Sequence, residues 1–296
     1  MHKNNKHKKS YDFNKLIETI PELKQFVFTN KYNSITIDFA NPEAVKLLNK
    51  ALLITYYSVD YWEFPDGHLC PPIPGRVDYI HHLADLLKTY NLNNSVKVLD
   101  VGTGATCVYP LLGFAEYKWH FVATDIDVVA LRNAQIIIDK NDLSSAIELR
   151  LQQDKSHILK GIIKPTDAFT VSMCNPPFYK NEKEATDATT KKLKGLKKAM
   201  ETPVRNFSGT ASELWFQGGE KAFLHTYLYE SSLFKTHCFW FTSLVSNKDL
   251  VKSMQKSLKK LGATKVKVIN MQQGHKISRI VAWTFLTIAQ QKDWQS

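Results

Sequence analysis

From Val96 onward the sequence alternates short apolar runs with stretches of helical periodicity, and that alternation leaves few folds open. The runs are Val96 to Val101, Trp119 to Thr124, Ile147 to Leu151, Ala168 to Met173, His237 to Leu244, Lys265 to Ile269 and Ile280 to Ile288. Apolar runs of strand length without polar alternation read as strands buried on both faces, and intervening helices join successive strands in parallel. The expected fold is therefore α/β, a Rossmann-like, seven-stranded, mostly parallel, doubly wound sheet. In such sheets ligands bind outside the carboxyl ends of the strands, so residues just after each run are the ones to inspect.

The first ninety or so residues follow another pattern. Residues 11 to about 90 read as mostly helical. Asn41 before Pro42 is a strong helix start, because the amide can cap while proline suits the first turn, and Ala44, Leu47, Leu48, Ala51 and Leu52 then share one face. Cys70 to Gly75 interrupts the chain before a second helix, Val77 to Tyr90. Residues 1–90 are thus expected to form a basic tail and a helical N-terminal extension, and residues 91–296 the sheet domain. Between Lys180 and Glu213 lies a Lys- and Thr-rich stretch without periodicity, expected to be a mobile insertion around 180–213 beside the site.

Composition excludes several classes. No apolar run approaches the ~20 residues of a membrane span, and Met1 to Ser10 is rich in Lys, His and Asn, unlike an export signal, so a cytoplasmic protein is expected. Cys70, Cys107, Cys174 and Cys238 show neither a disulfide framework nor metal-ligand spacing and should be buried thiols. His81 and His82, being adjacent, would point to different faces of a helix, so no metal is expected. The net charge of +11 favours a polyanionic partner, RNA or DNA. Basic residues gather at Lys3 to Lys9 and Lys191 to Lys198, both expected to be mobile, and at Lys252 to Lys267, where Lys256, Lys259 and Lys260 fall on the outer face of an amphipathic helix. No obligatory protein partner is indicated.

Two strand ends carry the chemistry. The run Val98-Leu99-Asp100-Val101 passes into Gly102-Thr103-Gly104-Ala105-Thr106 before a helix can start at Val108, and glycines there let the backbone approach a ligand closely. Asp125, ending the second run, can accept hydrogen bonds from ribose hydroxyls. A nucleoside site follows. The dinucleotide fingerprint GxGxxG competes for the same geometry, but Cys107 occupies its last position.

Asn175-Pro176-Pro177-Phe178 follows the fourth run at the same sheet edge. Its chemistry suits a planar amine whose lone pair is delocalised. The Asn175 side-chain carbonyl and the Pro176 backbone carbonyl can accept the two N–H bonds and favour a pyramidal nitrogen, so that the lone pair meets the methyl of S-adenosylmethionine. Pro176 and Pro177 stiffen the loop, and Phe178 offers a stacking face to an extruded base. The same logic serves glutamine methylation in release factors and adenine methylation in DNA. A non-catalytic RNA-binding protein on this fold is the rival of another class.

Three blocks, Pro72 to His81, Asp100 to Gly113 and Asn175 to Phe178, resemble the bacterial 23S ribosomal RNA adenine-N6 methyltransferase F family and, more distantly, the eukaryotic U6 small nuclear RNA adenine methyltransferases. The likeness runs from Tyr11 to Trp215, with Lys180 to Arg205 departing from it. It implies a class I methyltransferase whose last strand is inserted antiparallel, S-adenosylmethionine as cofactor, and one adenine of 23S rRNA, free or in an assembling large subunit, as substrate. Gly102 and Thr106 would border the methionine part of the cofactor, Asp125 its ribose, and Arg76 its carboxylate or the RNA backbone, with Thr103, Gly104 and Asn175 also touching the cofactor.

Overall fold

The strands line up so that three of their carboxyl ends meet at one edge, and the rest of the architecture serves that alignment. The computed structural model describes the chain except for residues 93, 182, 186–213, 274–275 and 295–296. The sheet contains β3 (Lys97–Val101), β4 (His120–Asp125), β5 (Ile147–Leu151), β6 (Phe169–Cys174), β7 (Cys238–Val245), β8 (Lys265–Gln273) and β9 (Lys276–Thr284), in the order β5-β4-β3-β6-β7-β9-β8. All pairs are parallel except those of β9, which runs antiparallel to both β7 and β8 and so is inserted between them. In register, Val101 faces Thr124 on one side and Cys174 on the other. The glycine loop, Asp125 and Asn175 therefore emerge together. The winding direction reverses between β3 and β6, where a doubly wound sheet opens its crevice.

Two apolar clusters cover the sheet. One packs α2 (Pro42–Tyr57), α3 (Ile73–Lys88), α4 (Val108–Tyr117) and α5 (Val128–Lys140) on one face; the other packs α6 (Gly219–Ser231), α7 (Lys248–Leu261) and the 158–163 turn on the opposite face. Val98 joins the first cluster and Leu99 the second, as two-sided burial of a strand demands. All four cysteines are buried and unpaired. The Asn41 cap on α2 is present, its side-chain oxygen accepting Glu43 N–H at 3.0 Å and Ala44 N–H at 3.2 Å.

The extension is mostly helical but carries one further element: after α1 (Phe13–Thr19) and a short 3-10 turn, β1 (Val27–Thr29) and β2 (Ile35–Ile37) form an antiparallel hairpin. Two expectations need correction. The last strand lies at 276–284 and not at 280–288, because Phe285 and Leu286 continue the apolar run as a buried turn while Lys276, Ser278 and Arg279 pair with β8 despite their polarity. The Lys3 to Lys9 tail, expected to be mobile, is hydrogen-bonded onto α2 and α3. His2 N–H donates to Asp78 at 2.6 Å, the Asn5 amide donates to Pro74 O and Asp78, each at 2.9 Å, and His7 Nε2 meets Tyr57 OH at 2.8 Å. Its partners lie 50 or more residues away in sequence, beyond any local pattern. The stretch Lys191 to Lys198 and nearly all of the expected insertion lie outside the described residues.

Candidate active site

The loop after β3 holds its shape through left-handed residues and backbone bonds to β4. Gly102 and Gly104 have φ of +77° and +65°, and Cys107, just before α4, has +49°. Gly102 N–H and Thr103 N–H both donate to Thr124 O at 2.9 Å. The Asp125 carboxylate accepts Gly104 N–H at 2.8 Å and Asp127 N–H at 3.0 Å, tying the two strand ends together. A Cβ on Gly102 would meet no protein atom within 4 Å, yet Gly102 lines the crevice. The space left above it is room for a ligand.

That crevice encloses about 1040 Å³ of empty space, its open mouth included. Arg76, Gly102, Thr103, Gly104 and Thr106 line it, and so do Asp125, Asn175 and Pro177. Pro176 is buried beneath its loop, and the Phe178 side chain is 47% exposed outside the lining. Sequence reading missed Tyr109 and Trp215, together with Gln152, Lys155 and His157 from the loop after β5. The loop residues carry no spacing signal; their position after the third strand was the only available clue.

Arg76 of the lining and the fully buried Asp100, two residues before Gly102, are left without full sets of partners by the protein itself. Arg76 Nη1 donates to Tyr109 OH at 2.8 Å and the guanidinium lies 5.4 Å from the Tyr109 ring centroid, but its buried Nε has no partner. Both oxygens of Asp100 and the hydroxyl of Thr103 are likewise buried without hydrogen bonds. Burial pushes the Asp100 pKa up to about 7; the Thr103 hydroxyl opposes the shift without closing a bond, Asp125 adds to it and Arg76 opposes it. Orphaned buried donors and acceptors of both signs are costly unless a ligand completes them. A zwitterionic group of amino-acid type, such as the methionine end of S-adenosylmethionine, has the matching set.

The Asn175 loop is clamped from downstream. Phe178 N–H and Tyr179 N–H donate to Leu214 O at 3.1 and 3.0 Å, and Phe216 N–H donates to Tyr179 O at 3.0 Å. Another clamp fixes the loop after β5: the buried Glu230 carboxylate of α6 accepts the N–H groups of Ile158, Leu159 and Lys160 at 3.0, 2.6 and 3.0 Å and meets His157 Nδ1 at 2.9 Å. Among the described residues no group of His, Cys, Asp and Glu could hold a metal ion, and no helix is long and apolar enough to cross a membrane.

A seven-stranded sheet with its last strand returned antiparallel, and a nucleoside-sized crevice at the ends of β3, β4 and β6, defines a class I methyltransferase using S-adenosylmethionine. The matching family model, described as RNA methyltransferase, spans residues 1–287, and the chain belongs to that family. A ribosomal RNA large subunit methyltransferase F of Flavobacterium johnsoniae is 49% identical over 304 residues, covering 100% of this chain and 96% of its own. One from Pseudomonas fluorescens is 45% identical over 303 residues, covering 100% and 89%. Among solved structures, the hMettl16 catalytic domain in complex with a MAT2A 3'UTR hairpin matches with a TM-score of 0.84 at 28% identity, over 97% of this chain and 96% of that one. The N-terminal domain of human METTL16 in complex with SAH matches with a TM-score of 0.77 at 26% identity, over 97% and 99%. The chain is thus an enzyme that methylates RNA with S-adenosylmethionine, and its expected fold and cofactor are borne out.

Proposed function

We propose that this enzyme methylates N6 of one adenine in large-subunit ribosomal RNA, free or in the assembling subunit, in the cytoplasm. The observation that carries the reading is that Asn175, whose side-chain carbonyl is one of the amine acceptors, lines the same crevice as the glycine loop and Asp125, so that acceptor and the nucleoside site share one space. The names of the F-type relatives point to large-subunit rRNA. They favour RNA over DNA or a release factor.

S-adenosylmethionine supplies an electrophilic methyl carbon on a sulfonium sulfur. Gly102, Thr103, Gly104 and Thr106 border its methionine part. Asp125, whose carboxylate closes the glycine loop onto the end of β4, takes the ribose hydroxyls. The guanidinium of Arg76 pairs with the carboxylate, and Asp100 offsets the ammonium charge. The Asn175 carbonyl and the Pro176 backbone carbonyl accept the two N–H bonds of the amine and turn its lone pair toward the methyl. The nitrogen held by Asn175 and Pro176 takes the methyl, the bound cofactor keeping the carbon–sulfur electron pair on its sulfur. The nitrogen then becomes acidic and loses a proton to water, so no base has to act beforehand. Pro177 limits the loop's freedom and Phe178 stacks on the extruded base.

The test uses large-subunit rRNA from cells lacking this protein, labelled cofactor and mass analysis of the nucleosides. The parent should produce N6-methyladenosine. Asn175→Ala should lower methyl transfer by at least ~10²-fold, as for loss of a preorganised polar group at a transition state, with cofactor affinity kept. Near-normal turnover in that variant would remove Asn175 from the chemistry.

A further inference from the structure

Two carbonyls that accept an exocyclic amine do not by themselves choose a base, because cytosine presents the same planar amine as adenine. Something in the crevice has to measure the ring. Trp215 is placed to do so. Its backbone forms a parallel bridge with Tyr179, four residues after Asn175. Its half-buried side chain lines the crevice with Asn175 and Pro177. Trp62, Trp240 and Trp283 are wholly inside the core, whereas Trp215 is half-buried and lines the crevice.

The segment bearing it is fixed on both sides. Upstream, Leu214 O takes the N–H groups of Phe178 and Tyr179. Downstream, Phe216 packs edge-on against Phe223 at 5.3 Å, and Gly218 and Gly219 turn the chain at φ of +86° and +74°. A Cβ on Gly219 would lie 2.9 Å from Lys180 Cγ, so the turn sits directly against the end of the Asn175 loop. Glu220 then anchors the start of α6 by accepting the Ser246 N–H at 3.0 Å and hydroxyl at 2.5 Å. A rigid mount for a large aromatic face beside amine acceptors is what stacking on a flipped base requires.

We propose that Trp215 contacts the acceptor base and selects a purine over a pyrimidine, its indole overlapping the two-ring system while Asn175 and Pro176 hold the amine. The inference rests on the reading of Asn175 given above. It assigns the indole to the RNA and not to the cofactor.

The experiment compares Trp215→Ala, Trp215→Leu, Trp215→Phe and Asn175→Ala in the full chain, using labelled cofactor, rRNA from cells lacking the protein, and calorimetric affinity for S-adenosylhomocysteine. Trp215→Leu keeps apolar bulk without a π face. It should lose at least about ten-fold in kcat/KM for RNA, the scale of one lost stacking contact, with unchanged melting temperature and cofactor affinity. Trp215→Ala should do the same, and Trp215→Phe should recover most of the activity. Normal turnover in Trp215→Leu while Asn175→Ala is inactive overturns the inference and leaves the Asn175 reading standing. Loss of cofactor affinity in step with turnover also overturns it, since the indole would then pack on the cofactor. Normal turnover in both Trp215→Leu and Asn175→Ala would overturn both readings.

Discussion

Asp100 lies at the end of an apolar strand with both carboxylate oxygens unpartnered, and burial raises its pKa from 3.8 to about 7. The sign of the consequence is fixed. Between about pH 4 and pH 7 the unfolded chain has released a proton that the folded chain keeps, so stability falls as pH rises through that window and stays lowered above it. The full cost is up to about 4 kcal/mol for a shift of roughly three units. Asp100→Asn should therefore gain on the parent from pH 4 to pH 7, with a constant gap above, in denaturant titrations at stepped pH. The same variant should bind S-adenosylmethionine about ten-fold more weakly if the carboxylate serves the ammonium. A gap that does not change with pH would show that Asp100 titrates normally in the fold. At this level the sequence was most legible where chemistry is contiguous, as in Asn175 to Phe178 and the glycines after β3. Asp100 has no sequence signal of its own, because its importance comes from burial and from Arg76 and Thr103 around it.

Elements were legible to the extent that their pattern is local. Six of the seven sheet strands could be placed from apolar runs, and the last only from Ile280 onward. The β1–β2 hairpin could not, since its exposed Phe28, Tyr32 and Ile35 break the alternation that would have marked it. Nor could the pairing of α6 with the loop after β5, which brings Glu230 some seventy residues back along the chain to His157 and its neighbours. That pairing holds Lys155 and His157 in the crevice wall. Glu230→Gln would replace one acceptor oxygen by N–H donors facing backbone N–H groups, and the turn should loosen. The expected result is a rise of about ten-fold in the KM for S-adenosylmethionine, the scale of one buried acceptor lost, with kcat within about two-fold. A fall in kcat with unchanged KM would place Glu230 in the chemistry instead of the wall.

The whole molecule joins its N-terminal residues to the crevice through α3, the helix that presents Arg76 to the site and Asp78 to the tail. Around that contact lie neutral histidines. Burial, first of all, lowers both His7 and His81 from 6.5 to about 4; Lys6 and His81 add to the effect at His7, while at His81 Glu116 and Asp78 oppose it and His2 and Lys6 add. Tyr57 meets the ring of His7, with Tyr56 and Tyr11 edge-on to it, and Tyr117 OH meets His81 Nδ1 at 2.7 Å. As pH falls from about 6.5 to about 4 the unfolded chain takes up protons that the folded chain refuses, so this stability is complete above that window and is lost on acidification. Asp100 changes stability in the opposite sense with pH, so the parent's profile is a sum and truncation separates its parts. Removing residues 1–10 deletes His7 and opens His81 to water. The truncated chain should be less stable than the parent at pH 7. The deficit should narrow as pH drops toward 4.5, by on the order of 2 kcal/mol for a histidine released from burial. The measurement is urea unfolding of both chains from pH 4.5 to 7.5, where Asp100 contributes equally to each and cancels in the difference. A deficit constant across that range would mean that these histidines are already charged in the fold and that the tail is held by its hydrogen bonds to Asp78, Pro74 and Tyr57 alone.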